Sequence, residues 1–149
     1  MATVEAIAGR YSSKVALHHV YILEAHADDE WQDPDNATDG ICYRKPQTLQ
    51  QRISIARSFA TDSKIPVDRI VVDCMENTVE LAYDARPEKL VVVQDGTIVF
   101  TSGIGPYQYS TSKLAAFLEQ EVSGPTSLCE ACTLASSLAV LVVGFIWWR

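Results

Sequence analysis

Glu24-Ala25-His26 and Cys129-Glu130-Ala131-Cys132 are the two stretches whose residue types and spacing suit chemistry. An imidazole titrates near pH ~6.5, so His26 is able to deliver or take up a proton around neutrality, or to polarise a nucleophile. Glu24 stands two residues earlier, and in extended backbone residues i and i+2 share a face, so its carboxylate would orient the ring. Cys129 and Cys132 have the C-x-x-C spacing of dithiol redox pairs. Beside an apolar tail, the same two thiols serve equally well as lipidation sites. Cys74, next to Asp73, reads as an inert thiol at a strand end. His18 and His19 fall inside an apolar run, one toward each face, and read as covered core residues. No His/Cys spacing in the chain makes a metal site.

The elements that must position these groups follow from patterning. Val15 to Leu23 is an apolar, β-branched run and predicts a buried strand. Six carboxylates lie between Asp28 and Asp39, which reads as a solvated loop. Pro46 then stands as a first-turn proline before a helix whose Leu49, Ile53, Ala56 and Ala60 recur at helical spacing. Val67 to Asp73 is a second strand, and Thr78 to Tyr83 a short helix. Leu90–Gln94 and Thr97–Thr101 flank Asp95-Gly96, a strong hairpin signal. Ser110 is placed to cap a last helix carrying Leu114, Phe117 and Leu118. A strand–helix–strand unit makes parallel strands, and the hairpin adds an antiparallel pair. Pro87, opening the first hairpin strand, is then expected near Glu24–His26 and Asp73–Met75, at the edge where open α/β sheets bind ligands.

Ala131 to Trp148 is an uncharged stretch of 18 residues between Glu130 and Arg149, ending in Trp147-Trp148. Roughly 17 apolar residues is the least that crosses a bilayer as a helix, so the stretch predicts a single-pass C-terminal membrane helix. The chain then divides into a domain over 1–122, a linker over 123–130 and a tail over 131–148. The N-terminus has no basic, apolar secretory signal. With 12 Lys+Arg against 19 Asp+Glu, the net charge of −7 excludes a nucleic-acid partner.

Tyr21-Ile22-Leu23-Glu24-Ala25-His26-Ala27-Asp28-Asp29-Glu30-Trp31 resembles the Glu-Ala-His-x-x-Asp-x-Trp signature of the iodothyronine deiodinases. Collinear similarity continues through Pro46–Arg52, Val71–Asn77, Tyr83–Leu90, Val93–Ile98 and Gly103–Tyr109. The resemblance implies a partial thioredoxin-like α/β fold and reductive removal of iodine from an aromatic ring, with a thiol reductant as cosubstrate and no bound cofactor. It implies catalytic roles for His26 and Glu24, and substrate contacts from Trp31, Pro87 and Lys89, the last standing where the family often has arginine. The selenocysteine or cysteine nucleophile belongs between a preceding strand and the helix represented by Val4–Tyr11. Neither that strand nor the nucleophile is found there, so the flank of Val15–Leu23 is expected as an open sheet edge and the chain as inactive. A stop-type codon upstream of Met1 is the corresponding expectation at the gene level. The alternatives are a non-catalytic, membrane-held thioredoxin-like module, or a thiol reductase using Cys129 and Cys132. The partners expected are an iodinated or otherwise halogenated aromatic, a thiol, a membrane and a second copy of the chain in a homodimer.

Overall fold

The computed structural model describes residues 3–24, 26–30, 42–123 and 138–144. Thr3 opens helix α1 (Val4–Arg10), its hydroxyl accepting from the Ala6 amide at 3.2 Å. A tight turn over Tyr11–Lys14 leads into β1 (Val15–Tyr21). Helix α2 (Leu49–Asp62) is capped by Thr48, which accepts from Gln51. Pro46 therefore precedes the cap rather than occupying the first turn. The buried face of α2 is Arg52, Ala56, Phe59 and Ala60, and Leu49 is exposed. The apolar spacing gave the helix correctly but turned its inner face by about one residue, because the long Arg52 side chain lies inside.

A 3-10 turn (Val67–Arg69) takes the first part of the second expected strand, leaving a short β2 (Ile70–Val72). Helix α3 (Thr78–Tyr83) follows, then β3 (Glu88–Gln94) and β4 (Thr97–Thr101). Asp95 and Gly96 both have positive φ, at 50° and 79°, the pair of left-handed residues that a two-residue hairpin turn demands. Helix α4 (Thr111–Ser123) begins after Ser110, whose hydroxyl accepts from Lys113 as the sequence predicts.

The tail departs from expectation. Leu138–Gly144, inside the stretch read as a membrane helix, forms strand β5. The sheet order is β2-β1-β5-β3-β4, so β5 lies at the centre. It pairs in parallel with β1 from Val15↔Leu138 to Tyr21↔Gly144, and antiparallel with β3 from Glu88↔Gly144 to Gln94↔Leu138. The expected open flank of β1 is therefore closed by the chain's own C-terminal segment. The physical reason lies in composition: an uncharged apolar run suits a strand in the middle of a sheet as well as it suits lipid. Hydropathy alone does not separate the two environments. Among the described residues no helix is long and apolar enough to cross a membrane.

The main core lies on one face, where Val4, Ile7, Ala8 and Tyr11 of α1 and its turn meet Val15 and Leu17, Leu90 and Val92, and Leu114 and Leu118. Since β5 separates β1 from β3, this cluster spans it. Tyr21 packs with Ala56, Phe59 and Ala60 of α2. Val20 and Ile22 pack on the other face with Ala85, Val79 and Tyr83. The architecture is mixed α/β and consistent with a partial thioredoxin-like fold.

Candidate functional site

The parallel strands β2, β1 and β5 all finish at one sheet edge, and β3 starts there. Glu24 leaves β1 at this edge and is buried, while His26 is half-buried and engaged in a further interaction. Burial pushes the Glu24 carboxyl above its ordinary range. The Tyr21 hydroxyl and the Arg52 guanidinium favour its anion and offset that only in part. Neither carboxylate oxygen has a hydrogen bond of ordinary geometry among the described residues. Burial, reinforced by the neighbouring Glu24, in turn raises the Tyr21 phenol. Glu24 and His26 thus stand two residues apart at this edge, the one buried and the other half-buried.

The loop leaving β2 is fixed from inside by two residues the sequence reading did not single out as functional. Arg52, 1% exposed, donates through Nη1 to the carbonyls of Asp73 and Cys74. Asp73, also buried, accepts from the amides of Cys74, Val79 and Glu80 at 2.8, 3.1 and 3.0 Å. It thereby caps α3 from outside, since Asn77 at the cap position makes no side-chain bond. An arginine on the inner stripe of a helix was the available signal, because such a residue needs buried acceptors. Cys74 is held within reach of Thr78 Oγ1, at 3.0 Å.

Pro87 follows a cis peptide bond at the start of β3. It shares the sheet edge with Glu24 and His26. Gly144 of β5 is in register with both Tyr21 and Glu88, which sets the end of β1 and the start of β3 about two strand spacings apart, roughly 10 Å. Gly105 passes close over this corner: a Cβ there would stand 2.2 Å from Glu88 Cγ. Burial raises the Glu88 carboxyl. Lys89 is committed elsewhere, donating to the Tyr83 carbonyl at 3.0 Å with Asp84 at 3.5 Å, its side chain only 12% exposed. Trp31, Cys129 and Cys132 lie outside the described residues.

Beside the exit of β1, the 42–47 segment folds back on the loop after His26. The Asp28 amide donates to the Tyr43 carbonyl, and the Lys45 amide to Asp29. Between this segment and α2 opens a cleft of about 560 Å³ lined by Tyr43, Arg44, Lys45, Pro46 and Ile55. Cationic and apolar groups share its wall with Asp29, which pairs with Arg44 at 3.7 Å, while Lys45 pairs with Glu30.

A family model described as iodothyronine deiodinase matches residues 1–122. The chain belongs to the iodothyronine deiodinase family. It is 35% identical over 101 residues to the type II iodothyronine deiodinase of Fundulus heteroclitus, covering 67% of this chain and 38% of that protein. It is 35% identical over 130 residues to the thyroxine 5-deiodinase of Sus scrofa, covering 84% and 40%, and 34% identical over 122 residues to that of Homo sapiens, covering 80% and 38%. The chain thus spans about two fifths of the length of these relatives. The deiodinase match covers α1 through α4 and ends before β5.

Proposed function

We propose that this chain is the substrate-facing and proton-transfer part of a deiodinase-type oxidoreductase, acting on an iodinated aromatic ring with a thiol reductant. The observation that carries this is buried Glu24, beside Tyr21 and two residues from half-buried His26, at the carboxyl edge of the sheet. In the overall reaction a thiolate or selenolate takes the iodine. The C–I bond breaks, an S–I or Se–I bond forms, and the ring carbon keeps the electron pair and gains a proton. One thiol of a dithiol then displaces iodide from the nucleophile, and the second releases it, leaving a disulfide. Glu24 and His26 supply the proton to the ring. The cleft beside Pro46 receives the substrate, its apolar wall taking the ring, and Lys45 and Arg44 exchange their pairs with Glu30 and Asp29 for its carboxylate.

The test uses the purified 149-residue chain. Thyroxine and diiodotyrosine are expected to bind at the cleft, read by equilibrium dialysis, and Lys45→Ala to weaken binding about 3–10-fold. No iodide is expected to be released with dithiothreitol, because the chain carries no thiolate at the nucleophile position. Absence of binding overturns the substrate reading; robust turnover overturns the expected inactivity.

A further inference from the structure

We propose that Arg52 is a positioning residue for Glu24: its Nε–H, left over after Nη1 is spent on the exit of β2, takes the ionised Glu24 carboxylate and fixes it at the sheet edge. This rests on the reading above that places Glu24 in the site, and it gives α2 a part in that site. Three observations carry it. The first is placement. The Asp73 amide donates to the Tyr21 carbonyl at 2.9 Å, which ties the exits of β2 and β1 together. Arg52 Nη1 donates to the carbonyls of Asp73 and Cys74 at that junction. Tyr21 packs on Ala56 and Phe59, so the inner face of α2 one turn beyond Arg52 lies on the end of β1. Glu24 follows Tyr21 by three residues and is buried.

The second is complementarity. Arg52 Nε, a donor, and both Glu24 carboxylate oxygens, acceptors when ionised, are buried without a hydrogen-bond partner among the described residues. Buried charged groups are disfavoured unless paired, and each of these supplies what the other lacks. Asp73 is already spent, its oxygens accepting from the amides of Cys74, Val79 and Glu80. The third is electrostatic. The Arg52 charge favours the anion of Glu24 and also acts on the Tyr21 phenol. Tyr21 on β1, Arg52 on α2 and Glu30 in the loop beyond His26 bear on Glu24, and of these three Arg52 alone is positive. Burial holds the carboxyl toward its protonated form, and the guanidinium limits that. On ionising, the carboxylate closes on Nε and joins the exit of β1 to α2 and, through Nη1, to the exit of β2. Arg52 acts on the site through Glu24.

The test is an NMR titration of the full chain, labelled at glutamate carboxyl carbons and arginine nitrogens, with no substrate added. The Glu24 signal is identified by its loss in Glu24→Gln. Its midpoint is expected at least about one pH unit higher in Arg52→Gln than in wild type, and higher by less in Arg52→Lys, which keeps the charge without Nε–H. Asp73→Ala loosens the same corner but leaves the guanidinium in place, and is expected to leave the midpoint where it is. A shift there as large as in Arg52→Gln assigns the effect to lost structure and overturns the proposal, as does an unmoved midpoint in Arg52→Gln. A second readout needs no Arg52 variant to fold. In wild type the Arg52 Nε–H signal is expected to shift over the pH range in which Glu24 ionises. That shift is expected to vanish in Glu24→Gln and to persist in Glu80→Gln, since Glu80 Oε2 is the other buried, unpartnered glutamate oxygen. A signal indifferent to pH, or one that follows Glu80, overturns the proposal. Equilibrium dialysis with thyroxine bears on the site reading alone: coupled titration without thyroxine binding keeps the Arg52–Glu24 pair and overturns the substrate reading instead.

Discussion

Glu24 shows how much a single position depends on its surroundings. In the folded chain burial raises its carboxyl, so its contribution to stability is complete where glutamate is protonated in both states, below about pH 4. That contribution falls as the pH rises through the folded pKa. Glu24→Gln cannot ionise and is expected to be more stable than wild type at neutral pH but level with it in acid, measured as urea midpoints at the two pH values. Equal midpoints at both would mean that the carboxyl is not desolvated. Lys89 makes the complementary point, its ammonium spent on a helix-end carbonyl and Asp84. Lys89→Met is expected to lower stability by about 1 kcal/mol while leaving thyroxine binding nearly unchanged.

Among the elements, the α2–β2–α3 corner is held by polar rather than apolar contacts. Arg52→Ala removes the donor to two carbonyls and leaves a cavity, and is expected to cost about 2–4 kcal/mol by urea unfolding. Asp73→Ala removes the external cap of α3 and is expected to cost about 1–2 kcal/mol. The Asp73 change is also expected to speed alkylation of Cys74, whose amide the carboxylate holds. Neither residue was legible as a positioning group from its neighbours in sequence. Arg52 appears on a helix face otherwise alanine and phenylalanine, and only the carbonyls brought to it by β2 explain it. The hairpin turn, by contrast, was readable, because Asp95-Gly96 prescribes its own backbone, while β3 starts two residues earlier than its pattern, at Glu88, and its register with β4 shifts between Val92 and Val93.

For the whole molecule, the place of β5 decides whether the chain is a closed domain. Val142→Pro removes a central amide in a strand paired on both sides and is expected to cost about 3 kcal/mol or more, broadening the unfolding transition. Val99→Pro lies on edge strand β4 at the register irregularity with β3 and is expected to cost much less. Equal effects of the two prolines would mean that β5 is not part of the folded sheet.

The sequence by itself determined the local elements and the family. The apolar run of β1, the Ser110 cap, the Asp-Gly turn and the Glu-Ala-His segment each carry their instructions within a few residues. Tertiary structure decided what depends on distant partners. It turned the inner face of α2, gave Arg52 and Asp73 their acceptors and donors, drew Lys89 to the end of α3, and separated β1 from β3 by one intervening strand. It also placed β5. An uncharged apolar run is favourable wherever water is excluded, in lipid or between two strands, and only the unpaired amides and carbonyls of β1 and β3 distinguish the two.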